Sequence, residues 1–218
     1  QNVSEHADVI IVGAGHGGAQ AAIALRQNGF SGSILIIGDE PDLPYERPPL
    51  SKDYLKGEKP LERLAIRPPE FWTSKSIEFA LNQSVVSVDA SGHSVTFSSG
   101  EKCGYGSLIW SAGGTPIRPA LPGISLPGVH VLRNRRDADA LRAQHSAGAR
   151  RFVIIGGGYI GLEAAAALAE MACTVSLIEA QPRLLARVAG PEISAFYENE
   201  HRGHGVDIRT SAGVAEIL

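Results

Sequence analysis

Cysteine is scarce in this chain: two occur in 218 residues, Cys103 and Cys173, 70 positions apart. They form no Cys-x-x-Cys pair. That excludes a dithiol redox centre, a zinc finger and a disulfide framework, and it suits a reducing compartment. An excess of one charge is missing too, since 20 Lys and Arg face 23 Asp and Glu for a net charge of −3. With no basic block, the chain lacks the electrostatic footprint of a nucleic-acid binder. Long apolar runs are also absent. The longest uncharged stretch, between Asp8 and Arg26, has 17 residues and is broken by Gly13, Gly15, His16, Gly17, Gly18 and Gln20, so it falls short of a membrane span. Glu5 and Asp8 precede it, where a secretory signal carries basic residues. The chain therefore reads as soluble and cytoplasmic. Its seven histidines lack the H-x-x-x-H or H-E-x-x-H spacing of a metal site. Neither Ser107 nor Ser111 sits in a G-x-S-x-G turn, so no serine hydrolase is expected.

Glycine, by contrast, is abundant at 25 residues, without a G-X-Y period, and its meaning lies in position. Residues 8–29 align without gaps on residues 151–172, an offset of 143, with eight of 22 positions identical. Each copy opens with a continuous apolar run, Val9 to Val12 and Phe152 to Ile155, the pattern of a strand buried on both faces. Each continues into Gly-x-Gly-x-x-Gly and an alanine-rich helical stretch. A second apolar run ending in acid follows, Ile34 to Ile37 before Asp39 and Val175 to Ile178 before Glu179. Two such units in one chain predict two dinucleotide sites.

Each glycine of the motif has a physical task. In the turn Gly13-Ala14-Gly15, the first glycine permits the tight bend off the strand and the second lets a pyrophosphate approach the backbone, while Gly18 lets the helix pack against the strand. The phosphates then lie on the helix N-terminus, where unpaired N–H groups and the dipole favour negative charge. In the second copy the roles fall to Gly156, Gly158 and Gly161, with Gly157 and Ile160 between them. Asp39, 26 residues after Gly13, and Glu179, 23 after Gly156, stand where an acid holds a ribose hydroxyl. A carboxylate there repels a 2′-phosphate, which favours NAD over NADP.

Between the copies, VVSVD, HSVTF and SLIW within residues 85–110 read as three short strands, with turns at Ser91-Gly92 and Ser98-Ser99-Gly100. They predict a small antiparallel layer beside a parallel sheet. Residues 41–69 hold seven prolines, too many for a long helix and too restrictive for a floppy linker. The expected fold is α/β: two Rossmann-like FAD/NAD(P)-binding domains, three-layered, with a parallel sheet plus an antiparallel β-meander, incomplete. The boundary falls at Gly113-Gly114-Thr115-Pro116, giving residues 1–112 and 113–218.

The stretches GAGHGG, PYERPPLSK, GGGYIGLE and IEAQPRLLARV together resemble the FAD- and NADH-dependent ferredoxin reductases, the putidaredoxin reductase-like and rubredoxin reductase-like enzymes that feed monooxygenases and dioxygenases. The resemblance runs from about Asp8 to the last residue, and Arg47-Pro48-Pro49-Leu50-Ser51-Lys52 is its most specific element. It implies that residues 1–112 bind FAD and 113–218 bind NADH. Asp39 would hold the FAD ribose, with Arg47, Lys52, Val85 and Arg133 along the flavin and its phosphates. Lys52 is similar to a lysine beside flavin N5, Glu163 to the glutamate that pairs with it, and Tyr159 to an aromatic covering the flavin where nicotinamide docks. These three are the candidate catalytic residues. Without the resemblance, Lys52 and Glu163 read equally as solvated surface charges, Tyr159 as ordinary packing, and His16 as a backbone-driven turn residue. The implied partner is a [2Fe–2S] ferredoxin or a rubredoxin, and through it a P450 or a ring-hydroxylating oxygenase. Flavin suits the task because NADH gives two electrons as hydride while an iron–sulfur protein accepts one at a time.

Three departures from the family pattern stand out. Ser111-Ala112-Gly113-Gly114 replaces the usual Ala-Thr-Gly, so a threonine hydroxyl is missing. Ala172 replaces a glycine at the end of the second helix, where Gly29 stands in the first copy. The chain also stops 39 residues after Glu179, which leads us to expect an N-terminal piece of a longer reductase with sheet left unpaired and apolar surface uncovered. Two other functions fit the residues: an NADH oxidase or monodehydroascorbate-type reductase, and a truncated dinucleotide-binding fragment without turnover.

Overall fold

The computed structural model describes residues 4–218. In chain order the first elements are β1 (His6–Val12), α1 (His16–Gln27), β2 (Ile34–Ile37), α2 (Asp53–Lys56), α3 (Pro69–Ser74), β3 (Ile77–Ala80), β4 (Val85–Asp89), β5 (Ser94–Phe97) and β6 (Lys102–Trp110). They are followed by α4 (Arg135–Ser146), β7 (Arg151–Ile155), α5 (Tyr159–Glu170), β8 (Thr174–Ile178), α6 (Pro191–Gly203) and β9 (Asp207–Arg209). These form two compact units, each built from two stretches of sequence: Gln1–Glu46 with Glu62–Gly114, and Arg47–Leu61 with Thr115–Leu218.

The first unit is a six-stranded sheet in the order β3-β2-β1-β6-β5-β4. Strands β1, β2, β3 and β6 run parallel, while β4 and β5 complete an antiparallel meander with β6. The period of two decides its core. Val9, Ile11, Ile34 and Ile36 face α1 and Trp72, whereas Ile10, Val12, Leu35 and Ile37 face the cluster of Val95, Phe97 and Tyr105. Each such side chain taken fully from water contributes roughly 1.5–3 kcal/mol. The SLIW run proves to be the end of a longer strand. β6 pairs antiparallel with β5 through Lys102–Gly104 and then parallel with β1 up to Trp110, so the meander is joined to the parallel sheet rather than stacked on it. Arg26 braces the far end of the unit by donating to the carbonyls of Phe30, Gly32, Lys75 and Ser76.

The second unit has a three-stranded parallel sheet, β7-β8-β9. Leu162, Ala165 and Leu168 of α5 pack on Val175, Leu177 and Ile208 of the sheet. The strap Arg47–Leu61 belongs to this core, with Leu55 of α2 buried in the same cluster. Its prolines give a 3-10 turn at Pro48–Ser51 and then the short α2, ended by Gly57 in the left-handed region. Two-sided burial was expected for both repeat strands. β1 meets it, but β7 does not: Phe152 and Ile154 pack on the core, while Val153 and Ile155 are 65% and 46% exposed. In this unit α5 packs on the Phe152 and Ile154 side of β7, so the apolar run is covered on alternate residues. Among the described residues, no helix is long and apolar enough to cross a membrane.

Candidate functional site

Both repeat turns have the geometry of a phosphate cradle. Gly13 and Gly156 carry φ of +114° and +110°, a region that side-chain-bearing residues avoid. The amide of each donates to the neighbouring strand, Gly13 to Ile37 O and Gly156 to Ile178 O, both at 2.8 Å. A Cβ on Gly18 would stand 1.9 Å from Gly13 O, and one on Gly161 would stand 2.2 Å from Gly156 O, so the third residue of each helix must be a glycine against its own turn. Gly15 and Gly158 are the N-caps of α1 and α5, without a side-chain cap and without an acid in the first turn. The first amides of each helix thus lack an internal acceptor. A Cβ built on either N-cap meets nothing within 4 Å. Open space over unpaired amides at the positive end of a dipole fits a dinucleotide pyrophosphate.

Around the first turn, Ser111 seals the floor. Its Oγ donates to Val12 O at 3.0 Å, and its carbonyl lies where a Cβ on Gly13 would go. Ala14 packs beside Gly38 at the end of β2. Asp39, one residue on, is exposed and has no hydrogen-bond partner among the described residues. The Val12↔Ile37 register brings Gly13 and Asp39 to the same edge of the sheet. Val85 starts β4 and is half-buried against the core. The chain reaches it just after Gln83, whose amide donates to Gly38 O. His16 opens α1 and is exposed.

Around the second turn the acid is already engaged. Glu179 accepts from the Gly157 amide through Oε2 and from the Gln181 amide through Oε1, each at 2.7 Å. The loop after it is braced by Arg183, which donates to Ala186 O, Ala189 O and Ser194 Oγ. Tyr159 and Ile160 open α5 and are 51% and 54% exposed. Glu163 follows Tyr159 by four residues and so shares its helix face.

The strap places its charges on this same unit. Lys52 Nζ lies 2.8 Å from Glu163 Oε2 and donates to Pro48 O at 3.0 Å. Ser51, buried beneath, donates to the same Glu163 oxygen at 2.6 Å. The side chains of Lys52 and Glu163 remain 42% and 32% exposed, and an ion pair that wet contributes only about 0–1 kcal/mol to stability. Arg47 donates to Arg133 O at 3.1 Å. Arg133 is itself set by the capping box of α4, in which Asp137 Oδ2 accepts from the Arg133 and Asn134 amides and Asn134 Oδ1 accepts from the Asp137 amide. The anchors of the strap are Tyr54, donating to Asp139 at 2.6 Å, and Lys56, at 2.9 Å from Glu170. Burial, then the Asp139 contact, pushes the Tyr54 phenol up from its usual range, and the bonds to Glu170 and Glu58 push the Lys56 ammonium up. Both cysteines are unbridged, Cys103 in the first unit and Cys173 in the second, and burial raises both thiols, which disfavours a reactive thiolate.

Asp39 and Val85 therefore lie in the first unit, while Arg47, Lys52, Arg133, Tyr159, Glu163 and Glu179 lie in the second. Sequence reasoning missed Ser51, Arg183 and the Asn134–Asp137 box. Only the box carried a signal, the N-x-x-D spacing before a helix.

Comparison with known proteins gives consistent matches. The model of the pyridine nucleotide-disulphide oxidoreductase family matches residues 7–218. A ferredoxin--NAD(P)(+) reductase of Sphingomonas sp is 55% identical over 213 residues, 98% of this chain and 51% of the relative. The ferredoxin reductase subunit of a 5,5′-dehydrodivanillate O-demethylase from Sphingobium sp. is 52% identical, over 97% of this chain and 51% of the relative. The crystal structure of the ferredoxin reductase for the CYP199A2 system of Rhodopseudomonas palustris superposes with a TM-score of 0.92 at 37% identity, over 99% of this chain and 52% of that one. The chain spans about half the length of these relatives.

Proposed function

The chain belongs to the pyridine nucleotide-disulphide oxidoreductase family, and on that premise we propose that the whole protein is a flavoprotein reductase passing electrons from NADH through FAD to a [2Fe–2S] ferredoxin or a rubredoxin. That carrier would serve a monooxygenase or dioxygenase, a P450 or a ring-hydroxylating oxygenase. The names of the relatives, a ferredoxin reductase and a demethylase's ferredoxin reductase subunit, support the reading. Residues 1–112 are proposed as the FAD part and 113–218 as the NADH part. A cytoplasmic location belongs to the same proposal.

FAD, when bound, would take two electrons from a hydride and release them singly. The residues of the chain bind, orient and balance charge. The turn of Gly13, Ala14 and Gly15, with Gly18 packed against it, presents the first amides of α1 to one pyrophosphate with Asp39 on a ribose, and the Gly156–Gly161 turn presents the first amides of α5 to the other with Glu179. Arg47, Arg133 and Val85 line the flavin side. The Lys52 ammonium offsets negative charge gained on reduction, Glu163 holds that ammonium, and Tyr159 covers the surface where nicotinamide docks. The observation that carries this is the 2.8 Å Lys52–Glu163 pair, whose exposure leaves stability a poor reason for it.

The test is the visible spectrum of the full-length protein as isolated. Flavin bands bleached by NADH without oxygen, followed by reduction of an added [2Fe–2S] ferredoxin, are expected. A colourless protein, or NADH consumption with oxygen that no ferredoxin diverts, overturns the reading.

A further inference from the structure

Two consecutive side chains, Ser51 and Lys52, reach the same two acceptors. Glu163 Oε2 is 2.6 Å from Ser51 Oγ and 2.8 Å from Lys52 Nζ, and Pro48 O is 3.4 Å from the hydroxyl and 3.0 Å from the ammonium. A serine has one proton to give. The short bond to a carboxylate takes it, because charge-assisted bonds are the stronger, and Pro48 O is left to the lysine. Glu163 Oε1 has no partner among the described residues, so these two donors alone fix the carboxylate.

The two donors differ in stiffness. Ser51 is 5% exposed and stands in a 3-10 turn with proline at its first helical positions, where ring closure sets the backbone. Lys52 carries its charge on a flexible four-carbon stem, and its side chain is 42% exposed. The stiff donor sets the carboxylate, and the carboxylate sets the mobile ammonium.

We propose that Ser51 is a positioning residue, whose hydroxyl fixes Glu163 Oε2 and thereby the place of the Lys52 ammonium. This rests on the reading of Lys52 as the cation beside the flavin, and the experiment separates the two. In the full-length, FAD-loaded protein, Ser51→Ala, Ser51→Thr, Lys52→Met and the double variant Ser51→Ala/Lys52→Met are compared. The readouts are the rate of flavin reduction by NADH in a single turnover and the flavin midpoint potential.

Ser51→Ala is expected to slow flavin reduction about tenfold, the loss of one hydrogen bond to a charged group, and to make the potential more negative. Ser51→Thr, which keeps the hydroxyl, restores both. On the Lys52→Met background the serine substitution changes nothing further. Ser51→Cys, near in size but a weak donor, gives the same direction where the alanine variant does not fold. An effect of Ser51→Ala that persists at full size without Lys52, or an unchanged rate and potential in Ser51→Ala while Lys52→Met alters both, overturns the proposal. Unchanged values in Lys52→Met overturn the reading of Lys52, and with it the proposal.

Discussion

Glu179 Oε2 lies 2.7 Å from the amide nitrogen of Gly157, so the acid that ends β8 is fastened to the turn that ends β7. With Oε1 on the Gln181 amide at 2.7 Å, the carboxylate is oriented before any nucleotide arrives. Asp39 in the first unit has no such fastening.

Replacing Glu179 with alanine removes both bonds and the ribose acceptor together. NADH affinity is expected to fall about ten- to hundredfold, the worth of one charge-assisted bond, with FAD content unchanged. Equilibrium titration with NADH and the flavin absorbance of the purified variant check this. Loss of FAD with NADH affinity unchanged would mean the two sites are assigned the wrong way round.

Lys52→Ala is expected to slow flavin reduction by NADH about a hundredfold, the scale for removing one group that stabilises developing negative charge. Thermal unfolding should move little, because the half-exposed pair is worth at most about 1 kcal/mol. Rapid-mixing absorbance and calorimetry measure the two effects separately.

Ala172 takes φ of +58° just after α5, where Gly29 takes +83° after α1. A left-handed alanine costs about 1 kcal/mol that glycine does not. Ala172→Gly should therefore raise stability by about 0.5–1 kcal/mol, and Gly29→Ala should lower it by a similar amount. Urea midpoints of the two variants, shifted in opposite directions, are the check.

Tyr54 donates to Asp139 from a buried position. Tyr54→Phe should cost about 0.5–1.5 kcal/mol, because the Asp139 carboxylate loses one donor while keeping Arg135 and access to water. The pH dependence follows from the raised phenol. Its contribution is fully present below the ordinary tyrosine value of 10.0 and is lost as pH climbs through the higher folded value. The difference in unfolding midpoint between wild type and Tyr54→Phe should thus shrink above about pH 10. A difference independent of alkaline pH would count against this account.

Most of the fold was legible because it follows from period and punctuation. The alternation of Val9 to Val12 and Ile34 to Ile37 supplies both faces of one sheet, and the glycines at 13 and 18 mark a turn that tolerates no Cβ. Phe152 to Ile155 misled because an apolar run states what a strand can bury, while its neighbours decide what it does bury. The packing of the strap with the second unit had no local signature, since Leu55 and Leu162 are more than a hundred residues apart in the chain. For the same reason Lys52 and Glu163 could be paired only through family resemblance. Ser51 went unnoticed because a lone serine after two prolines looks like any loop residue.

The strap has a consequence for synthesis. Residues 47–61 leave the ribosome well before Leu162, Leu177 and Ile208, which share a core with Leu55. A nascent chain must therefore keep that apolar plug waiting while the intervening segment is made, a distant closure of the kind that slows folding and exposes surface to association. A shortened chain begun at residue 113 would lack the plug altogether, and should need Leu55 and its flanking turns supplied as a separate peptide before it becomes compact.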